Sequence, residues 1–449
     1  MVFPIAGGNE SKGFDVENSL RFNDNDSPLL SRTPGTTATD RKKATISFWF
    51  KIGNITDSFR SLYRFNDGSG TGAVYLRSGN DLQFAWEASS SNIDVRPDGV
   101  FRDPSAWYHA FIKFDTTQST AADRVEIYIN GVERTYSTAN YPNQNDTVNH
   151  LTSDKTYYIG GDGQSSDKYF DGYIAEFNVV DGQAKSHLDF GEFNDNGVWI
   201  PKKYTGTYGN NGFHLEFKQT GTSANSSGIG ADTSGNDKHF TVTNLAATDI
   251  TEDTCTNNFA TLNAVDTSSN ITLTEGNTIG TANSNHSASR ATIGLNSGKW
   301  YWENKIISDS GGPAVGVMAA NAPLSDQLNS TPSRFYRDSG QKISDGTGSS
   351  YGNTYTTNDI IGVALDLDNG AIYFYKNGTA ENSGTAAFTD LLTATTEHWL
   401  PAVKLYNEAI SINFGNPSHS ISSGNADANG YGNFEYAPPS GYYSICTKN

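Results

Sequence analysis

Apolar positions along this chain alternate with polar ones, and helical spacing is nearly absent. Ala44 to Ile52 reads ATISFWFKI and places Ile46, Phe48 and Phe50 on one face of a strand. Trp107 to Phe114 sets Tyr108, Ala110 and Ile112 on one face, and His109, Phe111 and Lys113 on the other. Val125 to Ile129 runs into Asn130-Gly131, a pair suited to the positive φ angles of a type I′ hairpin. The same grammar returns at Ile360 to Asp366, Ala371 to Tyr375 and Asn377-Gly378. One short helix is predicted over Gln183 to Phe190, where Ala184 and Leu188 are four apart and Gly191 can end it. Short strands with turn signals about every 8–12 residues predict an all-β chain of antiparallel sandwiches. Strand grammar lapses between about Lys218 and Asp253. Gly221 to Gly235 is Gly, Ser, Thr and Asn with almost nothing to bury, which predicts a connector between two sandwiches.

Composition narrows the class. Aromatic residues make up 12% of the 449 residues, enough to bury a large core, which argues against intrinsic disorder. The net charge of −18 repels phosphate backbones, so nucleic acid is not an expected partner. No run approaches the roughly 18 apolar residues of a membrane-spanning helix, so no membrane insertion is expected. Met1 to Gly13 lacks the basic and apolar regions of a secretory signal. Cys255 and Cys446 form no CxxC arrangement and read as buried thiols, with neither a disulfide framework nor a zinc site indicated. Two signs conflict: a reducing cytoplasm fits the cysteine usage, whereas an 18% charged fraction and a surface rich in small polar residues resemble exported proteins. A virion component, made in a host cytoplasm and working outside it, reconciles them.

Two stretches carry a family resemblance. Trp107-Tyr-His-Ala-Phe-Ile-Lys-Phe-Asp115, Arg124-Val-Glu-Ile-Tyr-Ile-Asn-Gly131 and Phe170-Asp-Gly-Tyr-Ile-Ala-Glu-Phe177 resemble, in this order, strands of laminin-G/concanavalin-A-like jelly rolls. Ser297-Gly-Lys-Trp-Tyr-Trp-Glu303, Gly362 to Gly370, Ile372 to Gly378 and Pro401-Ala-Val403 resemble a SPRY domain. The fold implied is two antiparallel β-sandwich (jelly-roll) domains in tandem. It divides into an N-terminal arm at 1–18, a laminin-G-like jelly roll at 19–220, a connector at 221–258 and a SPRY-like sandwich at 259–449. The tandem, with Trp199-Ile-Pro-Lys-Lys203, Asp232-Thr-Ser-Gly-Asn236 and the closing Pro438-Pro-Ser-Gly441, resembles structural proteins of marine tailed bacteriophages. That resemblance implies a virion protein of tail or capsid, with other virion proteins and a host-surface glycan or receptor as partners. Assembly as a homo-oligomer stays open. The other class is a bacterial-surface carbohydrate-binding module or glycan-active protein. The apolar Met1-Val-Phe-Pro-Ile-Ala6 either docks on another virion component or completes this chain's own sandwich edge.

Candidate chemistry is sparse. Glucanases of the concanavalin-like fold use a Glu-x-Asp-x-x-Glu strand, whose outer carboxylates share a face and flank the glycosidic bond. Here no Glu has Asp two residues after it, so no enzyme activity is expected. Gly348-Ser-Ser-Tyr-Gly352 matches a nucleophile elbow but lacks the following helix. The eight histidines show no metal spacing, and no cofactor is implied. Asp24 and Asp26, in Asn23 to Ser27, are weak calcium candidates that lack a flanking Gly and a bidentate Glu. Recognition remains, and binding residues favour loops at sandwich ends. The expected ligand-contacting aromatics are Trp86 beside the polar loop at 89–98, Tyr136 and Tyr141 in the segment 135–152, and Tyr336 and Tyr351 in the second sandwich. The other tryptophans of strand patterns, Trp300 among them, are assigned to core or sheet faces.

Overall fold

Alternation works because one face of each strand meets a second sheet. In the computed structural model, which describes residues 13–55, 58–66, 71–163, 168–283, 286–324 and 331–449, it does so twice. The described chain forms two units, 13–256 and 257–449, each with its own core.

In the first unit one antiparallel sheet runs Val132–Glu133, Val125–Ile129, Tyr108–Asp115, Lys43–Ile52, Gly172–Asp181, Ser19–Phe22 and Ile250–Thr251, with Phe213–Leu215 also on Gly172–Asp181. The other runs Tyr136–Asn140, Asn92–Pro97, Leu82–Glu87, Thr71–Leu76, Arg60–Asn66, Thr156–Ile159, Leu29–Arg32 and Thr241–Thr243. Ile46, Phe48 and Phe50 enter the core as the alternation requires, and Phe48 stacks on Phe177 at 4.9 Å. The opposite face of Lys43–Ile52 is covered too. Trp49 is buried against Val16, Ala175 and Trp199, the last carried by the hairpin of Gly191–Phe193 and Trp199–Pro201. Beneath it the buried His109 accepts at Nδ1 from the Trp199 indole (3.1 Å), which leaves Nε2–H to donate to Ser47 Oγ (2.8 Å). Burial holds this imidazole down at about 3, so it is neutral.

Two expectations are revised here, and a third is met only in part by the described residues. The helix predicted over Gln183 to Phe190 is one 3-10 turn, His187–Asp189, capped by the Ser186 hydroxyl. Leu188 points outward at 50% exposure, so the Ala184/Leu188 spacing defines no buried stripe. The connector expected at 221–258 is instead structural tissue of the first unit as far as Thr256. Ile229 and Phe240 sit in its core, Phe240 at 4.8 Å from Phe213, and both sheets gain a strand from this stretch. Its few apolar residues are held by turns such as the Asp232 loop, whose carboxylate accepts from the backbone of His214, Ser234 and Lys238. The N-terminal arm packs on its own body over its described part. The Val16 carbonyl accepts from Thr254 and Thr256, and Phe14 rests on the Trp49 cluster. Met1 to Ala6, the apolar segment, lies outside the described residues.

The second unit repeats the scheme. One sheet runs Leu262–Thr267, Ser287–Ala291, Trp399–Leu405, Ala314–Ala319, Ser333–Arg337, Gln341–Ser344 and Thr347–Ser350. The other runs Ile271–Thr274, Ile279–Ala282, Ala409–Asn413, Lys299–Ser308, Ile360–Asp366, Ala371–Lys376 and Thr379–Ala380. Asn377 and Gly378 both take positive φ, 49° and 77°, as the Asn-Gly pair predicts. Among the described residues the α-helix is a single turn, Leu391–Ala394. No helix among them is long and apolar enough to cross a membrane. Cys255 and Cys446 are free thiols, and burial pushes Cys446 up to about 11.

Candidate functional site

The central strand Lys299–Ser308 has two faces, and the second unit uses them differently. Trp300 and Trp302 point into the core, whereas Tyr301 and Glu303 lie under the segment from Asn425 to Asn449. That segment forms no regular strand, so side-chain hydrogen bonds and isolated backbone pairs hold it. Tyr301 N–H donates to the Tyr443 carbonyl (2.8 Å), and Tyr443 N–H donates to that of Lys299 (3.0 Å). The Glu303 carboxyl accepts from the backbone of Glu435 (2.9 Å) and Tyr436 (2.8 Å), from the Tyr301 hydroxyl and from the Asn413 amide. Burial pushes Glu303 up to about 7, against the pull of these donors. Asp427 closes the end by accepting from the backbone of Asn429, Tyr431 and Ser444 and from the Asn449 amide.

Between this pinned segment and the start of the strand lies a cleft of about 410 Å³. Its wall is Trp300, 8% exposed, and the half-buried Tyr443; its rim carries Lys299, Asp368, Asn429, Ser440 and Asn449. Trp300 is fixed by its indole, which donates to the Ser297 carbonyl at 2.7 Å. Asp366 faces Lys299 at 3.0 Å; burial raises that carboxyl, but hydrogen bonds from Asn369 and Lys299 outweigh it and hold it below the ordinary range. Asp368 accepts from Gly298 N–H at 2.8 Å. The cleft therefore offers amides, a hydroxyl and ring surface around a neutralised ion pair, and no nucleophile beside a base.

None of the aromatics expected to meet a ligand lines this cleft. Trp86 is the third inward residue after Leu82 and Phe84, packed on Phe84, Phe65 and His150 in the core. Its place at a strand end did not free it from the alternation. Tyr336 is fully buried and gives its hydroxyl to the Asn353 carbonyl. Tyr351 meets it edge-on at 5.6 Å and donates to the Thr385 carbonyl, so the two are brought together as a wall. Tyr136 and Tyr141 are half-buried against the first core, and the Tyr136 hydroxyl accepts from Ile127 N–H. Asp24 and Asp26 form a short turn in which Asn54 and Asn23 donate to them. Among the described residues no three His, Cys, Asp or Glu side chains gather as a metal cluster. Sequence reasoning kept Trp300 as a strand signature and missed Tyr443, Asn429 and Asn449, whose spacing carries no periodic signal.

Comparison with known proteins accounts for both units. Residues 24–187 match the concanavalin A-like lectin/glucanases superfamily, and residues 299–417 match the SPRY domain. The chain carries a laminin-G/concanavalin A-like module followed by a SPRY domain. Similar curated proteins include the ATP-dependent RNA helicase Ddx1 of Drosophila melanogaster, 32% identical over 160 residues, which are 35% of this chain and 19% of that protein. Ran-binding protein 9 of Danio rerio is 34% identical over 125 residues, 26% of this chain and 20% of that protein. The chain thus spans about a fifth of the length of these relatives. Among solved structures, the SPRY domain of human HERC1 is 22% identical with a TM-score of 0.29, covering 34% of this chain and 96% of that one. A pentraxin from Limulus polyphemus is 15% identical with a TM-score of 0.28, covering 39% and 80%. The Asn425 to Asn449 segment lies beyond the stretch matched to the SPRY domain. The cleft is therefore walled in part by residues outside that match.

Proposed function

We propose that this chain is a non-catalytic recognition protein displayed on a tailed-phage particle, on tail or capsid, with the SPRY-domain cleft as its contact to a host-surface component. The observation that carries the reading is the pinned segment: buried Glu303 and Asp427 hold an accessory stretch over one end of the strand and leave a preformed cleft there. Both modules belong to folds used for binding, and relatives named Ran-binding proteins support a contact role for the SPRY domain. Fold alone does not assign a function, so the virion placement rests on the tandem's resemblance to phage structural proteins. Antibodies against the chain should decorate purified particles and slow their adsorption to host cells. Particles that carry none of this chain would overturn the placement.

The missing Glu-x-Asp-x-x-Glu strand supports the non-catalytic part. Incubation of the purified chain with laminarin is expected to release no reducing sugar. Release that disappears on replacing a single Glu would show an enzyme instead.

A further inference from the structure

We infer that the cleft at the start of Lys299–Ser308 binds an uncharged saccharide, which rests on the recognition reading above. Its volume of about 410 Å³ lies within the roughly 300–1,000 Å³ typical of small-ligand sites. A sugar ring presents C–H faces and hydroxyls that both donate and accept. The cleft answers with the half-buried ring of Tyr443 beside the small exposed part of Trp300, with the Asn429 amide and the Ser440 hydroxyl, and with the Asn449 amide oxygen as an acceptor. Charge decides against an anion. Lys299 is the one cation among the described lining residues; Asp366 pairs with it, and Asp368 adds a further negative charge at the rim. Geometry decides against an added peptide strand, because Lys299–Ser308 is interior in its sheet, between Ile360–Asp366 and Ala409–Asn413, and offers no free edge. The walls are set before any ligand arrives. The Asn429 amide donates to Asn449 at 2.8 Å, and the Asn449 amide donates to Asp427 and to the Ser444 carbonyl. Such preorganisation lowers the ordering cost of binding.

The test titrates the full chain with maltose, cellobiose and lactose, with sialyllactose as the anionic control and an oligolysine peptide as the cationic one. At least one neutral disaccharide is expected to bind with a dissociation constant on the order of 1 mM, and sialyllactose about ten-fold more weakly. Asn429 and Ser440 are exposed and the Asn429–Asn449 bond lies at the surface, so N429A/S440A should melt within about 2 °C of the wild type while losing about ten-fold in affinity. Failure of all three disaccharides to bind, or binding that N429A/S440A leaves unchanged, overturns the assignment. Oligolysine binding abolished by D368N, with no disaccharide bound, overturns it in favour of a basic peptide. Labelled chain on host cells separates the two levels. Cell binding that survives N429A/S440A removes the saccharide assignment and keeps recognition. Disaccharide binding without any cell binding keeps the saccharide site and removes the host-recognition role.

Discussion

Replacing Asp253 with alanine is expected to destabilise the first unit by about 3–5 kcal/mol, the usual cost of stranding one charge of a buried pair. Asp253 lies within the stretch whose sequence resembles a linker, where a substitution would ordinarily cost within about half a kcal/mol. In the fold it is fully buried. Its Oδ2 pairs with Lys51 Nζ at 2.9 Å, its Oδ1 accepts from the Trp107 indole at 3.1 Å, and its carbonyl accepts from Ser19. Removing the carboxylate takes the 2.9 Å partner from a buried ammonium that sits over the Tyr173 ring, where desolvation has already been incurred. Chemical denaturation of the fragment 11–256 reads the effect. A loss below about 1 kcal/mol would mean that water reaches Lys51 and that this segment packs loosely.

The second unit should lose stability as pH rises from about 5 to 8, and Glu303 should be the cause. Its carboxyl sits near 7 in the fold against an ordinary value of 4.5. Between those values the folded state binds the proton and the unfolded state does not, so folding is favoured most at acid pH and the advantage fades as pH climbs through about 7. A shift of that size is worth at most about 3 kcal/mol. Other buried carboxyls, such as Glu408, are raised as well, so the readout is the difference between wild type and E303Q. The variant should show a flatter profile across this window. It should also loosen the segment from Asn425 to Asn449, because one of the two backbone donors, Glu435 or Tyr436, then meets an amide N–H₂. Hydrogen exchange at those two amides follows the loosening. Identical pH profiles for the two proteins would show that Glu303 remains ionised throughout.

The expected ligand aromatics show how far local rules reach. Trp86 stands out in the sequence for its neighbouring polar loop, and Tyr336 and Tyr351 as loop aromatics, yet each is buried. Alternation was the better guide: Leu82, Phe84 and Trp86 share one face. For the cleft, the Gly298 to Glu303 stretch stood out as a strand signature, and its division into inward Trp300 and Trp302 against outward Tyr301 and Glu303 follows from period two. What covers that outward face was not legible.

Strands and hairpin turns were determined by the sequence itself, because period-two burial and positive φ at Asn-Gly are local properties that neighbouring residues settle together. Tertiary structure alone decided the rest. Phe240 reaches Phe213, Asp253 reaches Lys51 across 202 positions, and Glu435 reaches Glu303 across 132. Those contacts join isolated apolar or acidic residues in loops that carry no periodicity. Burial makes each of them strong, since a charge or backbone amide removed from water must find its partner wherever the fold has placed it.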